Sequence, residues 1–510
     1  MDPATLETLA EFQCADEAQV RAAVERARAA QPAWASAGVR ARVEVLRNFQ
    51  HRLHEKKQEV ARLITREAGK PYVEALLTDV LVTLDAARFC AEAAPALFRP
   101  EPVPHGNPAL KAKSGCLLRH PHGVVGIISP WNYPLAIPAG EVLGALVMGN
   151  AVVLKPSEFT TLTALELRAL LLASGLPEAL IQVLPGNGIT GAALVASPIN
   201  KLIFTGSVTT GRRVAAAAAE RLLPVTLELG GKDAMLVLDD ASLEVASSAA
   251  VWGAFVNAGQ TCLSVERCYV HRSLHDRFLE MCLAKTARLR VGNGLDPETD
   301  VGPLIHQRQV RTVEEHVADA VKRGARLLAG GSRLPHLGPN FYAPTVLAEV
   351  DHGMCIMREE TFGPVLPIAA FDSDDEAVRL ANDSEFGLAA SVWTRHPDRG
   401  RALAPRLEAG TVMVNDVVSC FGISEAPHGG IKSSGLGRTH GRLGLAELTW
   451  VQYVDSDRLP GLRKPWWYGY GGRFTQQMEG FVDWLFARGL GRRLRGGLRS
   501  AGAFFRRGRL

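Results

Sequence analysis

Cys262 stands in the stretch FVNAGQTCLSVER, and its surroundings suit chemistry better than packing. A core cysteine sits in an apolar run, as Cys282 does in LEMCLA, whereas Cys262 follows Gly-Gln-Thr and precedes a Glu-Arg pair. That pattern predicts a turn with open access to the thiol. A free cysteine with a pKa near ~8.5 is a few per cent thiolate at neutral pH, yet is intrinsically nucleophilic. At the start of a helix its anion would gain from the helix dipole and unpaired N–H groups.

Glu228 ends the apolar run of LELGGKDA, directly before paired glycines that allow close backbone approach. A carboxylate there is expected at a cleft rim, where burial raises its pKa and suits it to activate water as a general base. Asn132, in SPWNYPLAIP, lies between Trp131 and Tyr133 and between two prolines, so its amide is expected in one orientation. An amide N–H aimed at developing negative charge contributes ~10²–10³ in rate. Taken singly, these stretches read equally well as a turn cysteine, a solvent-facing strand end and an Asn turn.

Three further stretches suit a nucleotide. VVLKPSEFT places Lys155 and Glu158 just past a strand, where a carboxylate can accept from adenosine-ribose hydroxyls and repel a 2′-phosphate. FTGSVTTG sets Gly206, Ser207 and Gly211 at a strand-to-helix turn. It is not the usual GxGxxG, but a helix N-terminus there can receive a phosphate. EETFGPV offers Glu360 and Phe362, a carboxylate and a ring suited to a ribose and one face of a flat cofactor ring. Alone, it would pass for a simple turn.

Elements must hold these residues. Residues 17–95 carry helical periodicity with few glycines. From Gly123 to Leu229 the runs GVVGIISP, NAVVLKPSE, ALIQVLPG, INKLIFTGS and LPVTLELGG alternate with helical stretches. Short buried runs ending in Gly, Pro or Ser predict a parallel sheet with crossover helices, a Rossmann-like cofactor lobe. A second α/β lobe is expected from about Lys232 to Cys420, with strands at AMLVLD, RCYVHR, ARLLAGG, VLPIAAF, LAASVWT and TVMVND. Between the helices and the first sheet, KAKSGCLLRH alternates like an exposed strand pair, and GLAELTWVQYVD is expected to return to it.

At 510 residues, with 47% hydrophobic and 22% charged residues, the chain has the balance of a soluble globular enzyme in two or three lobes. Its eight cysteines show no CxxC spacing and no nearby histidine cluster, so neither a metal site nor a disulfide scaffold is expected. The start, MDPATLETLAEF, lacks a basic segment followed by an apolar core, which predicts no secretory signal and a reducing, cytoplasmic setting. Nothing points to a nucleic-acid partner. Net charge is +4, but residues 471–510 hold nine arginines against Glu479 and Asp483, leaving the preceding body slightly acidic. That tail carries Leu490, Leu494 and Leu498 at four-residue spacing, then Phe504 and Phe505. It is too charged to span a bilayer. A basic amphipathic segment of this kind can lie on an anionic membrane surface, dock on its own enzyme body, or stay solvated; five glycines weaken any free helix.

Together, PWNYP, LKPSE, FTGS, LELGGK, NAGQTC, EETFGPV and HGGIKSSGLGR resemble the aldehyde dehydrogenase superfamily in order and approximate spacing, from Pro130 to Arg438. The resemblance extends from the first helices to about Asp455. It implies a cofactor-binding domain over 1–102 and 122–230, a catalytic domain over 231–440 and a bridging, oligomer-forming sheet from 103–121 and 441–456. The basic extension, 457–510, lies beyond it. The resemblance makes Cys262 the nucleophile, Glu228 the general base, and Asn132 the oxyanion-stabilising amide, together with the Cys262 N–H. It sets Lys155 and Glu158 against the adenosine ribose, Gly206 and Ser207 at the pyrophosphate, Glu360 and Phe362 at the nicotinamide ribose and ring, and Trp131 among the cofactor contacts. NAD is the implied cofactor, with NADP admissible, and a homodimer or homotetramer the implied assembly. The implied reaction is oxidation of an aldehyde to the acid through a cysteine thioester; membrane contact by the basic tail would suggest medium- or long-chain or aromatic aldehydes as substrates. The alternatives are a succinate-semialdehyde-type enzyme or a silent protein that keeps the fold. Two departures, Ser264 and His428, are expected near the substrate end of the site.

Overall fold

The apolar runs between Gly123 and Leu229 become strands because both of their faces are covered: Val124, Val125, Ile127 and Ala151 to Leu154 have no exposed surface. The computed structural model of the chain describes residues 1–461, 464, 466–468 and 470–502. There the runs form a six-stranded sheet in the order Gly435–Leu436, Val225–Glu228, Lys201–Thr205, Val124–Ile128, Ala151–Lys155 and Ile181–Val183. Neighbours run parallel except Gly435–Leu436, which pairs antiparallel with Val225–Glu228. The register sets Thr205 beside Glu228, and Ile128 beside both Phe204 and Lys155. The chemistry-bearing residues thus gather where the strands end, the usual ligand edge of a parallel sheet.

A second, seven-stranded sheet runs Arg326–Ala329, Thr345–Ala348, Val365–Phe371, Arg267–His271, Ala234–Val237, Ala389–Trp393 and Thr411–Val414. Only the Arg326–Ala329 edge is antiparallel. Thr345–Ala348 has no counterpart among the expected strands: its four residues, TVLA, are too short for a periodic signal.

The expected helical stretch comprises Glu17–Ser36, Gly38–Glu55, Lys57–Ala68 and Leu81–Leu97, whose buried faces (Val20, Phe49, Ile64) join the first sheet's core. Asp16 and Gln19 close a capping box at its start. Before Leu81 the helix loosens into a π-helical turn, Ala75–Val80, a feature often found at functional sites. This turn delivers Asp79 into the core, where it pairs with Lys70 at 2.8 Å and accepts from the Leu135 and Ala136 N–H groups at 3.1 and 3.0 Å. Asp79 thereby caps the helix Ala136–Val147 and fixes the PWNYP loop before it.

Both sheets belong to one unit, Met1–Arg99 with Arg119–Trp450; the other unit is Pro100–Leu118 with Val451–Leu510. Most of a three-stranded sheet, Glu101–Val103, Lys113–Pro121 and Thr449–Asp457, lies in the latter. The strand pair expected before Pro121 is one long strand, Lys113–Pro121. In the same unit, Gly472–Phe486 and Leu490–Ser500 form a helical hairpin. Its glycines permit the packing: a Cβ on Gly480 would meet the Gly496 carbonyl at 2.8 Å, and one on Gly496 the Gly480 carbonyl at 2.5 Å. Phe504 and Phe505 lie outside the described residues.

Candidate active site

The opening beside Cys262 is made by a strained turn. After helix Leu243–Phe255 the chain passes through Asn257, Ala258 and Gly259, all left-handed, with φ of +54°, +55° and +73°. For each non-glycine residue that conformation costs about 1–2 kcal/mol. Hydrogen bonds hold it. The Glu74 carboxylate accepts from the Asn257 N–H at 2.9 Å, and Asn257 Nδ2 donates to the Asn132 and Gln260 carbonyls at 3.0 and 3.1 Å. Gln260 donates to the Asn257 carbonyl at 3.0 Å and accepts from the Ile305 N–H at 2.9 Å.

Cys262 does not begin a helix. It sits in the loop between Val256–Gly259 and the strand Arg267–His271, so no helix dipole favours its anion. Burial instead pushes the thiol well above its ordinary pKa, and the nearby Glu360, Asp233 and Glu228 carboxylates push the same way. The side chain is half-buried and lines two cavities.

The larger cavity, a cleft of about 290 Å³, is also lined by Asn132 and Glu228. Asn132 is buried, and its Nδ2 donates to the Gln260 carbonyl at 3.1 Å; an amide nitrogen has a second hydrogen to give. Glu228 ends its strand against the Gly435–Leu436 edge and accepts from the Thr439 hydroxyl at 3.4 Å. Its pKa is raised well above the carboxylate range by burial and by Glu141, against the pull of Arg438 and Thr439. A carboxylate so raised is suited to take a proton from water.

Trp131, Gly206, Ser207, Glu360 and Phe362 line the same cleft. Ser207 caps the helix Val208–Ala219. Glu360 accepts from the Gly231 N–H at 2.9 Å, and a Cβ on Gly230 would stand 2.4 Å from its carboxylate. The glycines of LELGGK therefore admit Glu360, whose pKa burial raises to about 8. Phe362 has φ +51° and meets Trp131 edge-on at 5.4 Å. Sequence reasoning missed what fixes that ring: Gln309 donates to the Thr361 and Phe362 carbonyls at 3.0 and 3.1 Å, and Glu266, paired with buried Lys232, accepts from the Phe362 N–H at 3.0 Å. Gln309 lies in an ordinary amphipathic helix and Glu266 just past Cys262, and only the fold brings them to the ring. Lys155 and Glu158 stand 3.9 Å apart at the end of strand Ala151–Lys155, outside the cleft's lining. A serine-capped helix, a carboxylate by paired glycines, an aromatic wall and a lysine–glutamate pair at the next strand end fit an extended dinucleotide.

Of the two departures, His428 lines the cleft and Ser264 does not. Ser264 is buried and donates to the Gly253 carbonyl at 3.0 Å, away from both cavities. His428 lies beside Glu228, its Nε2 3.8 Å from Glu228 Oε2, and burial lowers its pKa to about 3, so it is neutral. The second cavity, about 160 Å³, leads away from Cys262 between Leu77, Val82, Ile137, Trp252, Leu263 and Phe421. Leu77 comes from the π-helical turn.

A half-buried thiol, an amide and a carboxylate line one cleft, an arrangement that suits covalent catalysis. The sequence model of the aldehyde dehydrogenase family matches residues 1–454, and the chain belongs to that family. Within it, the chain is an NAD(P)-dependent aldehyde dehydrogenase. It is 39% identical over 480 residues to the 4,4′-diapolycopene aldehyde oxidase of Methylomonas sp, covering 94% of this chain and 89% of that one. The succinate-semialdehyde dehydrogenase of Burkholderia pseudomallei has the same fold, with TM-score 0.85 and 36% identity over 89% of this chain and 93% of that one. An aldehyde dehydrogenase of Bacillus cereus, solved with NAD⁺, gives TM-score 0.86 and 36% identity over 89% and 92%.

Proposed function

We propose that the chain oxidises lipophilic aldehydes to carboxylic acids through Cys262. The supporting observation is that Cys262 stands where two spaces meet, the cleft it shares with Asn132 and Glu228 and the apolar tunnel. Glu228 takes the Cys262 thiol proton and passes it to solvent as the sulfur adds to the aldehyde carbon, and Asn132 Nδ2 donates to the oxyanion with the Cys262 N–H. Trp131, Lys155, Glu158, Gly206, Ser207, Glu360 and Phe362 would hold NAD, which would accept the hydride from the adduct carbon and leave a thioester on Cys262. Glu228 then removes a proton from water, whose oxygen attacks the thioester carbon; the carbon–sulfur bond breaks, releasing the acid. Glu158 beside Lys155 favours NAD over NADP, because a 2′-phosphate would meet its carboxylate.

The tunnel supports the substrate class. Among its described lining residues there is no lysine or arginine, so a second carboxylate would be desolvated without a partner, which is strongly unfavourable. Each methylene buried from water contributes about 0.8 kcal/mol. The likeness to an enzyme named 4,4′-diapolycopene aldehyde oxidase supports the same reading. A panel of hexanal, octanal, benzaldehyde and succinate semialdehyde, followed by NADH formation, tests it. The reading expects octanal to be preferred, and succinate semialdehyde as the best substrate would overturn it.

The proposal extends to assembly and location. The edge strand Thr449–Asp457 exposes Val451 and Tyr453, and pairing of this edge between copies would build a homodimer or homotetramer. Light scattering at the mass of one chain would exclude that. No described helix is long and apolar enough to cross a membrane. Leu490, Leu494 and Leu498 are exposed on the second hairpin helix among Arg492, Arg493, Arg495 and Arg499, which supports contact with an anionic bilayer surface on the cytoplasmic side. Deletion of residues 471–510 should abolish co-sedimentation with phosphatidylserine vesicles. Undiminished binding would refute the tail's part.

A further inference from the structure

The helix Ala136–Val147, AIPAGEVLGALV, is apolar and almost wholly buried, yet it carries Glu141. A glutamate in such a helix is costly unless its carboxylate is paired or kept neutral. Glu141 Oε1 accepts one hydrogen bond, from the Thr205 hydroxyl at 3.0 Å, and Oε2 has no protein partner. Thr205 is the register neighbour of Glu228 on the adjacent parallel strand. Such neighbours lie about 4.8 Å apart with side chains on the same face, so Thr205 carries Glu141 to the side of the general base. Glu228 likewise has one oxygen, Oε2, without a hydrogen bond. Both carboxylates line the cleft that holds Cys262.

The wall behind them is polar without supplying a cation to either one by contact. His440 stands over Gly140, where a Cβ would meet its Nε2 at 3.3 Å, and its Nδ1 has no partner. Its left-handed φ of +53° is a strained position for a histidine. Phe421 packs against the rings of both His428 and His440. Thr439 reaches Glu228, and Arg438 lies behind it. A smaller cavity shares Glu141, Thr439 and His440 with the cleft and is also bounded by Arg438, Glu447 and Cys90. These are the titratable groups around Glu141: Glu228 on the neighbouring strand, His428, Arg438 and His440 on the loop, and Cys90 and Glu447 across the smaller cavity. Burial lowers His440 to about pKa 4 and His428 to about 3, so neither adds positive charge at neutral pH.

We propose that Glu141 is a positioning residue for the base, a second carboxylate that shares a proton with Glu228 and receives the one removed from water during thioester hydrolysis. This rests on the reading of Glu228 as the base. In the step, water's oxygen bonds to the thioester carbon and its proton goes to Glu228. The carbon–sulfur bond breaks with its electron pair on Cys262, and the proton passes from Glu228 to Glu141 and then to solvent. No oxidant or reductant enters. Burial, which lifts Glu141 to about 8 and is the larger cause of the raised Glu228, keeps such a shared proton bound near neutral pH.

Rapid-quench mass spectrometry of full-length enzyme with NAD, after a stoichiometric pulse of octanal, reads formation and decay of acyl-Cys262 separately, between about pH 6 and pH 9. In Glu141→Gln, adduct formation should match wild type, and decay should slow by about tenfold or more. The pH midpoint of decay should move down, because the like charge that raises Glu228 is gone. Glu141→Asp should restore much of the decay rate. The proposal is overturned if Glu141→Gln decays at the wild-type rate with an unmoved midpoint. It is equally overturned if formation and decay fall together and Glu141→Asp does not recover them, which marks a packing defect. Absence of any acyl-Cys262 in wild type would instead remove the covalent reading beneath it.

Discussion

Gly259→Ala tests the claim that a strained turn, rather than a helix start, presents the nucleophile. A Cβ at Gly259 would lie 2.1 Å from the Gly363 carbonyl oxygen and 2.8 Å from Pro364 N, both backbone atoms. The wall beside Phe362 and the turn before Cys262 must therefore separate by about 1 Å to regain normal contact. The left-handed φ adds about 1–2 kcal/mol and forced overpacking about 1–3, so the variant should lose roughly 2–5 kcal/mol of stability. A displacement of that size at a reacting group costs roughly 10²-fold in rate. The assay is kcat for octanal well below the melting temperature, together with urea unfolding. Gly38→Ala is the control: it has φ +82° with nothing within 4 Å of the added carbon, so it should lose about 1–2 kcal/mol and keep full activity. Wild-type kcat in Gly259→Ala would refute the reasoning.

Three further outcomes follow from the same geometry. Asn132→Ala should lower kcat by ~10²–10³ while the melting profile holds, and a change confined to KM would deny it the oxyanion role. Leu77→Arg brings a cation to the apolar tunnel and should raise kcat/KM for succinate semialdehyde about 10–100-fold while lowering it for octanal, read in parallel progress curves. His428 is held at about 3 against 6.5 in the unfolded chain, so the unfolded state gains a proton that the native state refuses, and stability falls as pH drops below about 6.5. At pH 5 that loss is about 2 kcal/mol. In His428→Phe the urea-unfolding gap between neutral pH and pH 5 should narrow by that amount, and an unchanged gap would count against a buried neutral imidazole.

The two sheets were legible because buried parallel strands leave runs such as AVVLK and AMLVL that no other element explains as well. Thr345–Ala348 and the antiparallel Gly435–Leu436 edge were not, since two to four residues carry no period. Cys262, Asn132 and Glu228 stood out only when their stretches were read together with the other motifs in order, since each alone passes for a turn or a strand end. The electrostatics did not. A helix start would have favoured a Cys262 anion, but the residues after it fold into a loop and strand, and the carboxylates of Glu228 and Asp233, from one segment, and of Glu360, from another, push its thiol up. Ser264 illustrates the limit of spacing alone. Two residues past the nucleophile in sequence, it faces the Gly253 carbonyl because the loop turns it into the core. Glu141 and Gln309 read as helix residues until the fold sets one beside Thr205 and the other beneath Phe362. The tail's glycines, which argue against a free helix, become the contact of a paired one.

The central claim is that the aldehyde carbon becomes covalently bound to one sulfur. Glu228→Gln should form the thioester and release it slowly, so peptide mass spectrometry after incubation with octanal and NAD should place a single octanoyl group on the peptide that contains Cys262. An unmodified Cys262 in enzyme that has made NADH, or an octanoyl group on another cysteine alone, would contradict the account.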